Sequence, residues 1–184
     1  MRVPARNPAA AQERYRHFMQ QSLSCISDAV FYVAPRTKGE REKRALVCQP
    51  DPLELTSETG GRLYLSIGHN FRVVPDDRFA GEWKVRTEGY FYRVRYSEDA
   101  SGELFAWHWH PEVRSEPHLH VARISGLHVP SGRVAFESII RMLIDDLHVI
   151  PNRDDWQEVL AETEQRFQAF RTWPAPRVPP APTA

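Results

Sequence analysis

Four of the chain's eight histidines fall in two H-x-H pairs, in the segments Phe105-Ala106-Trp107-His108-Trp109-His110 and Pro117-His118-Leu119-His120-Val121. Side chains alternate along an extended strand, so His108 and His110 share one face while Phe105, Trp107 and Trp109 take the other. His118 and His120 repeat the pattern against Leu119 and Val121. Antiparallel pairing with His110 opposite His118 and His108 opposite His120 would gather four imidazoles into one block.

Three uses of such a block follow from its chemistry. Imidazole nitrogens at i and i+2 on adjacent strands suit Zn²⁺ or another borderline divalent metal, with Glu112 or Glu116 in the connecting loop as a further ligand. Without a metal, a neutral and a protonated histidine together can take a proton from an RNA 2′-hydroxyl and deliver one to the leaving oxygen. Nearby cations would then hold the phosphate, and Arg93, Arg95, Arg114, Arg123 and Arg133 are the candidates. The third use is structural, with half-buried imidazoles bonded to backbone and the tryptophan stripe turned to the core. Strand register decides whether Arg93 and Arg95, or instead Tyr90, Tyr92 and Tyr96, join the histidine face, because a one-residue slip exchanges them. His17, His69, His128 and His148 read as ordinary structural histidines.

The elements that must position the block are legible in the periodicity. Ala11, Tyr15, Phe18, Met19, Leu23 and Ile26 mark an amphipathic helix over 8–27, entered through Pro8. The apolar run 29–33 suits helix or strand, and a densely charged loop follows at 36–44. Short β-prone runs at 45–49, 62–67, 71–74, 83–96, 103–110 and 118–124 predict an antiparallel meander. The period then changes: Phe136, Ile139, Ile140, Leu143 and Leu147 mark one helix over 136–147. Trp156, Val159, Leu160, Phe167 and Phe170 mark another over 153–170, with Asn152 as its expected N-cap. The class is α+β: an antiparallel sheet with one N-terminal and two C-terminal helices on one face, in a single domain over 1–173. Within it, 1–44 holds the helix and charged loop, 45–124 the sheet and 134–173 the helices. The proline-rich tail 174–184 has no apolar period.

Composition narrows the function. The chain of 184 residues carries 24 Lys plus Arg against 24 Asp plus Glu, which removes the global basic excess of a nonspecific nucleic-acid binder. Cys25 and Cys48 form neither a zinc motif nor a disulfide framework. The N-terminal stretch lacks the apolar core of a secretory signal, and no run is long enough to span a membrane, so a cytoplasmic protein is expected.

From Tyr90 to Trp173 the order of features resembles an uncharacterised bacterial family: the strand Tyr90-Phe91-Tyr92-Arg93-Val94-Arg95-Tyr96, Trp-His-Trp-His-Pro, Pro-His-Leu-His-Val, His128 to Val134, a helix, Arg153-Asp154-Asp155-Trp156 and Arg171-Thr172-Trp173. More distantly it resembles the TumE-like toxins of toxin–antitoxin pairs. That resemblance implies a ribonuclease-type activity and a cognate antitoxin. The sequence reading is therefore a toxin-like ribonuclease or phosphodiesterase, with His108, His110, His118 and His120 as acid–base groups, RNA as substrate and no cofactor. The alternative is a noncatalytic binding or regulatory protein in which the same four histidines hold zinc or another divalent metal, or the sheet face meets a partner.

Overall fold

The computed structural model describes residues 5–34, 43–99, 102–122 and 127–170. Arg123, most of the charged loop 36–44, Trp173 and the proline-rich tail lie outside them. The architecture is α+β as the periodicity predicts. A helix α1 (Pro8–Leu23) precedes β1 (Val30–Ala34), β2 (Arg44–Gln49), β3 (Leu53–Thr56), β4 (Arg62–Pro75), β5 (Trp83–Arg95), β6 (Glu103–His110), β7 (Arg114–Val121) and β8 (Val129–Pro130); α2 (Phe136–Asp145) and α3 (Trp156–Phe170) close the chain. The strands form one antiparallel sheet in the order β1-β2-β4-β5-β6-β7-β8, with β3 paired to the free half of one edge of β4. Among the described residues no helix is long and apolar enough to cross a membrane.

Local chemistry explains most boundaries. Pro8 opens α1, where its missing N–H costs nothing, and the Asn7 side chain caps the helix by accepting from the Ala10 N–H at 2.8 Å. The helix stops at Leu23, short of the expected 27, because the chain turns there toward β1. The ambiguous run 29–33 is a strand, since Phe31 pairs opposite Cys48 and is buried beneath α2's Phe136. The two runs expected at 62–67 and 71–74 are one long strand, bent by a bulge at Asn70/Phe71. Asn152 does not cap α3: its side chain donates to Asp28 at 2.8 Å, and the helix starts at Trp156.

Register sorts the sheet into two faces. Leu65 opposite Val94, Ile67 opposite Tyr92 and His69 opposite Tyr90 turn toward the helices, and the same face continues to Trp109, Trp107 and Phe105 on β6. Phe136 stacks on Tyr92 with ring centroids 5.8 Å apart, Tyr15 of α1 packs on His69 and Phe71, and the Val134 N–H donates to the Tyr90 hydroxyl at 2.9 Å. The apolar stripe on the hairpin is core only in part. Trp109 is buried, but Trp107 and Leu119 are half-buried and Val121 is 39% exposed, because the helices cover the centre of the sheet and not the far end of the hairpin.

His69 lies in the core between two phenols, its Nδ1 2.6 Å from the Tyr15 hydroxyl and its Nε2 2.8 Å from the Tyr92 hydroxyl. Burial pushes its pKa down to about 3. In the unfolded chain the same imidazole binds a proton near pH 6.5. The stability it contributes is therefore complete above about pH 6.5 and is lost as pH falls toward 3. Melting temperature is expected to drop between pH 7 and pH 4, and to drop less in a His69→Leu variant; equal slopes in the two proteins would refute this role.

Candidate functional site

The histidine face is the side of the sheet away from the helices. Phe91 opposite His108 and Arg93 opposite Ala106 place β5's arginines, and not Tyr90 and Tyr92, on that face. The pairing inside the hairpin differs from the expected one by two residues. His108 faces His118, Ala106 faces His120, and His110 faces Arg114. The cause lies in β7, which begins at Arg114, directly after the turn 111–113, and carries extra residues around Pro117. Proline has no N–H for the ladder, so pairing skips there and resumes at His118. The Trp109 indole N–H, donated to the Ser115 carbonyl at 3.1 Å, pins the skipped segment. A shift by two conserves parity, so the histidines still share a face.

Their rings cluster tightly. The His108 centroid is 4.8 Å from that of His120, 5.9 Å from that of His118 and 5.3 Å from that of His110. His118 and His120 are 4.9 Å apart. A fifth member was not visible in the sequence: His128 lies 4.9 Å from His118 and 4.5 Å from His120. Pairing of His118 with Pro130 and Leu119 with Val129 brings it there. A two-residue strand ending in proline carries no period, so nothing in the spacing of residues pointed to His128.

Each member has a distinct environment. His118 is 6% exposed, enclosed rather than open to solvent as the face pattern suggests. Its Nδ1 lies 3.2 Å from the Glu116 carbonyl, which can only accept, so Nδ1 carries a proton and in the neutral tautomer Nε2 is the nitrogen with the lone pair. His108 Nε2 is buried without a hydrogen-bond partner. Burial, then the neighbouring His120 and His110 and the Arg93 cation, pushes the His108 pKa down to about 3. Burial and neighbouring imidazoles lower His110 and His120 as well, the Glu103 carboxylate partly opposing this at His120.

One nitrogen from each of His108, His118 and His120 lies within 4.8 Å of the others. Three points so spaced lie within about 2.8 Å of a common centre, and Zn–N bonds need about 2.0–2.1 Å, a gap that small side-chain rotations close. His110 stands outside this trio, beside His108. The loop carboxylates contribute little: Glu112 is exposed and paired with Lys43 at 2.7 Å.

The arginines divide. Arg93 is half-exposed on the histidine face, paired with Glu103 at 2.9 Å. Arg95 shares the face but is buried, donating to the Ser66 hydroxyl and the Glu98 carbonyl. Arg114 is exposed beside His110. Arg133 belongs to the other side of the sheet, its guanidinium 3.6 Å above the Trp109 ring. No family model, curated protein or solved structure matches the chain.

Gly68 shapes the floor beside His108. A Cβ there would lie 2.3 Å from the Phe91 ring, whose centroid is 6.5 Å from that of His108. Only glycine lets Phe91 lie flat and exclude water from the imidazole. Gly68→Ala is expected to cost about 1–3 kcal/mol by urea denaturation, the usual scale of overpacking, and to raise the His108 pKa toward 6.5 by NMR titration. An unchanged His108 titration in a destabilised variant would disprove the link.

Proposed function

We propose that the chain is a metal-dependent, ribonuclease-type phosphodiesterase whose centre is His108, His118 and His120. The observation that carries the reading is the convergence of three imidazole nitrogens within 4.8 Å, with the His118 proton committed to the Glu116 carbonyl and His108 Nε2 without a partner. Neutral imidazoles held by an outer hydrogen bond are how proteins ligate Zn²⁺ and related ions, and three protein ligands leave a position for water or substrate. A divalent ion there would supply Lewis acidity toward a phosphoryl oxygen and a lowered pKa for water.

The protein's own groups divide the remaining work. Arg93 stands on the same face with its guanidinium half-exposed, suited to hold a phosphate oxygen, and Arg114 lies at the turn end of the hairpin. His110 and His128 flank the trio as candidate proton acceptors. The ribonuclease-type activity, with RNA as substrate class, and a cognate antitoxin come from the resemblance to TumE-like toxins. The metal-free mechanism is disfavoured at His108, His110 and His120, because burial and mutual repulsion oppose the protonated form that one partner in an acid–base pair must hold.

Calorimetric titration of chelator-treated protein with Zn²⁺ is expected to give one ion per chain. His118→Ala or His120→Ala should weaken uptake by a hundredfold or more, and Arg93→Ala should leave uptake intact while lowering RNA cleavage by roughly tenfold, the loss of one charge-assisted phosphate contact. Cleavage that persists in chelator with a bell-shaped pH profile near 6.5 would replace the metal with acid–base catalysis. Zn²⁺ bound without any cleavage of RNA would leave a noncatalytic metal protein.

A further inference from the structure

The helix-free face of the sheet carries more than the histidines. Directly opposed residues of antiparallel strands share a face. The registers line up one unbroken row across it: Tyr32 opposite Val47, Val47 opposite Gly68, Gly68 opposite Phe91, Phe91 opposite His108 and His108 opposite His118. At the spacing of neighbouring strands, Tyr32 stands about 19 Å from His108. Tyr32, on the edge strand β1, is 44% exposed. Phe91 is half-buried, its ring laid over Gly68, so that Val47 and a residue without a side chain separate the two aromatics. The chain neighbours Phe31, Leu46, Ile67 and Tyr92 are the residues that enter the core beneath the helices.

Cations border the row on both sides. Toward one side stand half-exposed Arg93 and buried Arg95, the latter donating to neutral oxygens, the Ser66 hydroxyl and the Glu98 carbonyl. Toward the other, Arg72 alternates with core Phe71 and so lies on the helix-free face, directly opposite Arg86. These two arginines share one carboxylate, Glu88, at 2.7 and 3.0 Å. Two cations on one carboxylate leave that flank positive, in a chain whose overall formal charge is zero.

We propose that this row is a track for single-stranded RNA, with one base stacked on Phe91, another on Tyr32, and the phosphates between them held by the bordering arginines. The strand is thereby led to His108, His118 and His120. The inference rests on the reading of that trio as a phosphodiesterase centre and specifies the form of RNA it acts on. Exposed aromatic rings stack unpaired bases whatever their sequence, and cations beside them follow the backbone. A duplex keeps its bases stacked on one another and has none to offer Tyr32 or Phe91. A polyanion without bases would answer the arginines and leave both rings unused.

Fluorescence anisotropy on the full chain, without added metal and with a labelled 2′-O-methyl RNA of about eight nucleotides, measures the track apart from cleavage. The single strand should bind about tenfold or more tightly than the same strand annealed to its complement, and more tightly than polyphosphate. Tyr32→Ala, at an exposed position whose folding is checked by circular dichroism, should weaken binding roughly fivefold to a hundredfold, the loss of one base–aromatic stack. Tyr32→Trp should keep the affinity and Tyr32→Leu should lose it, and Arg86→Gln should flatten the dependence of affinity on salt. Equal affinity for duplex or polyphosphate, no binding of the single strand, or a Tyr32→Leu variant that binds like Tyr32→Trp would each overturn the proposal. A dinucleotide is too short to reach Tyr32, so its cleavage in the presence of Zn²⁺ reports the histidine trio alone. Dinucleotide left uncut while the single strand still binds through Tyr32 would remove the phosphodiesterase reading and keep the track; dinucleotide cut while Tyr32→Ala binds the single strand normally would do the reverse.

Discussion

The pairing of β5 with β6, which sets Tyr90 opposite Trp109 and Phe91 opposite His108, is the constraint on which the rest of the molecule depends. Side-chain alternation converts that one register into two chemically unlike surfaces. Tyr90, Tyr92 and Val94 go to the helices, and Phe91, Arg93 and Arg95 go to the histidines. A slip by one residue would bury the arginines under α2 and hand the imidazoles to the hydrophobic core. The aromatic contacts of Tyr92 with Phe136 and of Tyr90 with Trp109 oppose such a slip, since each would be replaced by a buried cation.

The two faces solve the burial of histidine differently. His69 is kept neutral by burial, and two phenols occupy both ring nitrogens, which makes it a member of the core. In the hairpin the nearest rings to each imidazole are mostly other imidazoles. One buried nitrogen, His108 Nε2, stays unsatisfied. Burial and neighbouring imidazoles together lower the proton affinity of His108, His110 and His120, which keeps these rings in the neutral form near neutral pH.

Strand β7 shows how a local covalent rule reaches the site. Pro117 interrupts the ladder, and the residues it displaces carry the Glu116 carbonyl to His118 Nδ1 and the Ser115 carbonyl to the Trp109 indole. The same displacement removes His110 from the facing position beside His118 and leaves His108 there instead. The site is thus three histidines from a hairpin, with His110 beside one end and His128 from the next strand beside the other.

By itself the sequence determined the α+β class, the change of period before α2, and the shared face of His108, His110, His118 and His120, because alternation along a strand is a property of the backbone and needs no neighbour. It also determined where Pro8 admits a helix. Tertiary structure decided which histidines meet, since facing positions depend on how many residues the chain spends around Pro117. It decided the company of the cluster, with Arg93 beside it, Arg133 sent to the Trp109 side and His128 recruited through a strand too short to show a period. It alone set Tyr32 in line with Phe91 and His108, because that row depends on the registers of successive strands that meet only after the chain has folded.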